Sequence, residues 1–201
     1  MNLLSGLGGL IVSFIPFLVA LSVHEAAHSY VANRLGDATS KVDGRLSLNP
    51  LRHIDWFGTI LLPLLLMMQG LPAFGYAKPV MVNINNFKNP ARDNLLTALA
   101  GPASNLIFAL ILGIFISLFP VLNFLTILVQ INVILALFNL IPIPPLDGSK
   151  VWHLFLDDET YFTLERYGPF ILIAFILFAS SIADSLFTID YSISYFLTHL
   201  F

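Results

Sequence analysis

No water reaches the hydrocarbon core of a bilayer, so a chain crossing it satisfies its backbone within helices of about 20 apolar residues. This 201-residue chain contains several such runs. Residues 3–35 form the first, interrupted by His24, Glu25 and His28 before Arg34 marks a membrane interface. Residues 94–119 and 121–141 are two more, joined at Pro120 with almost no loop, and 167–187 is broken only by Asp184. Residues 54–69 are apolar but short, with Pro63 in their middle. The tail "TIDYSISYFLTHLF" is too short to cross and is expected at the interface.

Composition points the same way. Charged residues make up 10% of the chain, against about a quarter in soluble domains. Nine Lys and Arg against twelve Asp and Glu argue against a nucleic-acid partner. Without cysteine there are neither disulfides nor thiolate metal ligands. The opening "MNLLSGLGGLIVSF" has no basic region ahead of its apolar stretch, so it reads as a retained span and not a cleaved signal. No repeat, low-complexity tract or linker divides residues 1–201. The expectation is one polytopic domain in the cell membrane, an all-α bundle of about five to six hydrophobic segments.

The positive charges constrain its path. Arg34, Lys41, Arg45 and Arg52 precede residues 54–69, while Lys78, Lys88 and Arg92 follow them. A full crossing by 54–69 would divide these clusters between two faces. A re-entrant segment keeps all nine basic residues, with Lys150 and Arg166, on one side, as the positive-inside rule favours. Residues 70–87 alternate apolar and polar side chains from Val80 to Ile84 and read as a short strand or hairpin beyond the re-entrant segment.

The first span holds "HEAAH". His24 and His28 are four apart and share a helix face, with Glu25 on its flank. In this H-E-x-x-H spacing two imidazoles can hold zinc while the carboxylate acts on water. Ionisable groups inside a span cost about 3 kcal/mol each and mark functional sites by default. Ten residues separate His24 from Arg34, or about 15 Å of helix, which places any metal within the membrane. A catalytic zinc commonly takes a third protein ligand. Asp147 is the candidate, in "NLIPIPPLDGSK", where Pro142, Pro144 and Pro145 stop a helix and Gly148 permits a sharp turn.

Taken together, these motifs resemble the site-2 protease family of intramembrane zinc metalloproteases, in a compact form without PDZ or CBS domains. "HEAAH", "GPASN" at 101–105 and "NLIPIPPLDG" occur in the family's order, with "NPLRHID" and "GYAKPV" between the first two. The resemblance implies one zinc ion per chain on His24, His28 and Asp147, with Glu25 as general base. It also implies hydrolysis of peptide bonds within or near membrane-spanning segments of protein substrates, the chemistry of regulated intramembrane proteolysis. It places Asn105 and Asn139 near the active site, where their amides are candidate donors to a developing oxyanion; each could equally form an interhelical hydrogen bond. His53 reads equally as a substrate contact and as an interfacial histidine. His153 and His199 read as ordinary interfacial residues, and Asp184 has no assigned role. The alternative functions are a membrane metal-ion transporter and a non-catalytic metal-binding membrane protein; in neither does Glu25 have a task.

The charge pattern makes a topological prediction. Reporter tags at residues 45, 85 and 155 should all face the cytoplasm and one at residue 2 the opposite side. Accessibility labelling in intact cells checks it, and an external tag at 85 would show that 54–69 crosses fully.

Overall fold

The computed structural model describes residues 3–61, 65, 79–178 and 180–200. Helix α1, Leu3–Leu35, is continuous through Pro16 and, at about 50 Å, exceeds the thickness of a hydrocarbon core. It stops at Gly36, whose φ of +115° suits glycine, and the Asp37 N–H closes the end on Ala32 O at 2.9 Å. A Cβ at Gly36 would lie 3.0 Å from Asn86 O, so residue 86 packs directly on the helix end.

Asp37 secures that contact. Fully buried, it accepts at Oδ1 from Thr39 N (3.1 Å), Thr39 Oγ1 (2.5 Å) and Asn86 Nδ2 (2.7 Å), and at Oδ2 from Asn83 N (2.8 Å). Burial pushes its pKa up, but the hydrogen bonds from Thr39, Asn86 and Asn83 outweigh that and hold the carboxyl below the usual range.

One-turn helix α2, Thr39–Val42, leads to a 3-10 turn at Pro50–Arg52, capped by Asn49 Oδ1 accepting from Leu51 N (3.1 Å). A wide turn follows at Trp56–Leu61, started by Asp55 Oδ1 accepting from Gly58 N (2.7 Å). Most of the rest of the expected re-entrant stretch, and the start of the expected hairpin, lie outside the described residues. Residues 79–83 have no regular structure and pair with no strand among the described residues, before a 3-10 turn at Ile84–Asn86.

Helix α3, Pro90–Leu118, has proline at its first position, and Asp93 Oδ2 accepts from Asn89 N (3.1 Å) to cap its start. A 3-10 stretch, Pro120–Leu125, runs into α4, Thr126–Asn139. The 3-10 helix Asp147–Leu154 follows the proline-rich turn, then α5, Asp158–Phe178, and α6, Ser180–Thr198. The described residues are predominantly α-helical, without strand, as expected for an all-α membrane protein. Among the described residues, three helical stretches are long and apolar enough to cross a membrane, namely Pro90–Leu118, Pro120–Asn139 and Asp158–Phe178.

Helix α3 lies at the centre, packed against α1, α4 and α6. Ala109 and Ile116 of α3 meet Val129 and Val133 of α4 and Leu197 of α6, flanked by Leu112, Leu137 and Ile193. Gly113 permits the approach of α6, since a Cβ there would lie 2.5 Å from Leu197 O. Residue 179, between α5 and α6, lies outside the described residues. The expected end of the last span at Phe187 and most of the tail belong to α6, which packs on α3 and α4. Asp190, Ser194 and Thr198 lower the tail's hydropathy. They recur every fourth residue and satisfy one another along one face, where Ser194 Oγ donates to Asp190 Oδ1 (3.3 Å) and Thr198 Oγ1 to Ser194 O (2.9 Å).

The Asp37 pin predicts an acid-sensitive stability. A depressed carboxyl stabilises the fold above about pH 4, where an unfolded Asp is ionised, and that contribution is lost as pH falls through the folded value. Asp37→Asn should cost about 1–3 kcal/mol at neutral pH and flatten the loss of thermal stability below about pH 4. Melting curves in detergent across that range check this, and an unchanged acid slope would remove Asp37 as its source.

Candidate metal centre

Three side chains from two distant stretches meet at one point. His24 Nε2 lies 3.0 Å and His28 Nε2 3.3 Å from Asp147 Oδ2. The two rings are one helical turn apart, with centroids at 4.6 Å and planes 85° apart. Both histidines and Glu25 are buried.

The far side of each ring fixes its tautomer. His28 Nδ1 is 2.7 Å from Thr97 O, a carbonyl that can only accept, so Nδ1 carries the proton. His24 Nδ1 is 2.6 Å from Asn105 Oδ1. The Asn105 amide is oriented by Ala20 O, which accepts from Nδ2 at 3.0 Å, so Oδ1 faces His24 and again Nδ1 donates. Both Nε2 atoms therefore turn lone pairs towards a carboxylate oxygen that has no hydrogen-bond partner of its own.

Such an arrangement repels itself. Two nitrogen lone pairs and a carboxylate, close together and buried, call for a positive charge between them. A proton on one Nε2 would relieve one contact and leave the other lone pair facing oxygen. A cation relieves both. The donor atoms lie within 4.8 Å of one another and form the one such group among the described residues. The N, N, O set suits zinc, and three protein ligands leave a fourth position open.

Glycines bring the elements together. A Cβ on Gly101 of α3 would fall 2.5 Å from His28 Nε2 and 2.6 Å from His24 Nε2, so the α3 backbone rests on the imidazole pair. Gly148, after Asp147, lies against Leu140 O and Ile141 O, where a Cβ would overlap both. That contact folds the chain back at the end of α4. Ser149 Oγ and Lys150 Nζ bond Glu165 of α5 at 3.0 and 2.5 Å. His153, 5% exposed, stacks on Tyr161 at 4.1 Å and binds Asp158 Oδ1 at 3.2 Å, while Asn94 of α3 donates to Tyr161 Oη at 3.2 Å.

Of the other expected residues, Glu25 lies beside the group but not in it, and its Oε2 accepts from Val80 N at 3.0 Å. Asn105 is fully buried, and its amide hydrogens go to Ala20 O and to Asn132 Oδ1 (2.7 Å), so none is left to donate to a substrate. Asn139 is half-buried and donates one amide hydrogen to Leu135 O at 2.9 Å. His53 is buried outside the group, with Nε2 2.8 Å from Ser47 O. His153 is no ordinary interfacial residue, since it pins the Asp147–Leu154 segment to α5. Glu165 and Lys150 belong to no recognised motif, although a glutamate in so apolar a chain is a signal in itself.

Comparison with known proteins agrees with this geometry. The model of Peptidase family M50 matches residues 118–180, which include Asp147. A candidate zinc metalloprotease of Mycolicibacterium smegmatis, Rip2, is 30% identical over 189 residues, covering 87% of this chain and 70% of that protein. The chain belongs to peptidase family M50. A second relative, the candidate zinc metalloprotease YwhC of Bacillus subtilis, is 42% identical over 151 residues, or 68% of this chain. The match spans 65% of YwhC, just under two thirds of its length. Rip2 of Mycobacterium tuberculosis is 31% identical over 167 residues, covering 78% of this chain and 62% of that protein. No solved structure matches the chain.

The contact at Gly101 yields a direct prediction. Gly101→Ala should displace both imidazoles and weaken metal binding by about 10–100-fold, the usual scale for a disturbed support of a ligand. Chelator competition on the purified protein checks it. Unaltered affinity would show that α3 does not set the ligand positions.

Proposed function

We propose that this M50 chain is an intramembrane zinc metalloprotease, cutting peptide bonds within or near membrane-spanning segments of other proteins. The observation that carries the reading is the convergence of His24 Nε2, His28 Nε2 and Asp147 Oδ2 in a buried setting between apolar helices. In this reading residues 1–201 act as one multi-pass domain in the cell membrane, with residues 54–69 re-entrant. One zinc ion per chain sits on the three donors. A zinc ion held there would supply a Lewis acid for a scissile carbonyl and lower the pKa of water towards neutrality.

Glu25 is the general base. The Val80 N–H holds its Oε2, and the carboxylate takes a proton from water and returns it to the leaving amine. Asn139, with one amide hydrogen beyond the one given to Leu135 O, is the remaining candidate donor to a substrate carbonyl. Asn105 instead orients His24, because its hydrogens are already placed. Residues 79–83, with no strand partner among the described residues and anchored at Glu25 and Asp37, offer backbone groups to an unwound substrate segment. A metal carrier would need successive ligand sites along a path, and one donor group occurs among the described residues.

The test is zinc content together with cleavage of a model membrane-spanning substrate by purified protein. Glu25→Gln should keep near wild-type zinc stoichiometry and lose about 10²–10⁴-fold in cleavage rate. His24→Ala and Asp147→Ala should lower both. Wild-type cleavage by the Gln variant would remove Glu25 from the mechanism, and full zinc in Asp147→Ala would remove the third ligand.

A further inference from the structure

Asn132 of α4 is fully buried, and the chemistry above makes no use of it. Its Nδ2 donates to Leu128 O at 2.7 Å, one turn back in its own helix. A backbone carbonyl only accepts, so this bond fixes the amide and turns Oδ1 away from Leu128. That Oδ1 accepts from Asn105 Nδ2 at 2.7 Å. Asn105, also anchored on Ala20 O, presents its own Oδ1 to His24 Nδ1 at 2.6 Å.

The three side chains thus form a relay with one direction. Each amide donates on one side and accepts on the other, from the carbonyl of α4 through α3 to the imidazole of α1. In an apolar surrounding such bonds polarise one another, and a buried donor left without its acceptor is costly. Without Asn132, an Asn105 N–H would face hydrocarbon, and rotation of that amide would take the acceptor away from His24. His28 needs no such relay, because the Thr97 carbonyl performs the same task directly.

We propose that Asn132 is a positioning residue of the metal centre, holding His24 through Asn105 with Nδ1 protonated and Nε2 turned towards Asp147. This rests on the metal-site reading above. It adds α4 to the helices that determine how the metal is held.

The experiment uses the full chain in detergent with Co²⁺ as probe, reading the dissociation constant by chelator competition and ligand geometry by visible absorption. Asn132→Leu removes the acceptor at similar size. It should weaken Co²⁺ binding about 10–100-fold and shift the absorption bands, with helical content unchanged by circular dichroism. Asn132→Asp keeps an oxygen facing Asn105 and should stay within about threefold of wild type with the same bands. Unchanged affinity and spectrum in Asn132→Leu would overturn the relay. If Asn132→Leu does not fold, Asn132→Ala, which also removes the acceptor, decides: a loss of roughly tenfold upholds the relay, and wild-type binding overturns it. A wild-type chain that binds no Co²⁺ overturns the metal centre itself, whereas one that binds it indifferently to Asn132→Leu overturns the relay alone.

Discussion

Two imidazole lone pairs and a carboxylate, held against one another where water is scarce, form the constraint on which the rest of the structure turns. Left to themselves these groups would separate, because each would be better solvated elsewhere. They stay together because the surrounding backbone leaves them nowhere else to go. Gly101 brings α3 onto the two rings, and Gly148 holds the Asp147 turn against the end of α4. A divalent cation bound between the three groups would relieve their repulsion.

Support for the cluster comes from three directions, and each uses a different kind of acceptor. A main-chain carbonyl holds His28, a chain of amides holds His24, and an ion pair with a stacked histidine holds the segment that carries Asp147. Helix α5 packs on that segment through Glu165 and Tyr161. Asp37 and Glu25 then tie residues 80–86 to α1 at two points, so this stretch is placed although it has no regular structure of its own.

Much of this was legible in the residues. The helical spacing of His24 and His28, the stop at Pro142 and the turn at Gly148 are local facts, and local facts survive in a sequence. The membrane helices around 94–119 and 121–141 were equally plain, because hydrophobic runs need no partner to be recognised. The partners themselves were hidden. Asn105 looked like a donor to substrate, and only its neighbours reveal that both hydrogens are spent. The tail looked too short to cross, and its residues alone did not show that Asp190, Ser194 and Thr198 satisfy one another along one face of α6. His153 carried no local sign that it would be buried against Tyr161.

The donor set is also divided in time. His24 and His28 lie near the beginning of the chain and Asp147 roughly 120 residues later. Translation at 5–20 residues per second separates their appearance by on the order of ten seconds. Throughout that interval a growing chain has two imidazoles in its first helix and nothing to complete the set, while Gly101 and Asn105 have yet to arrive and then must wait for α4. A half-made molecule therefore has no assembled centre.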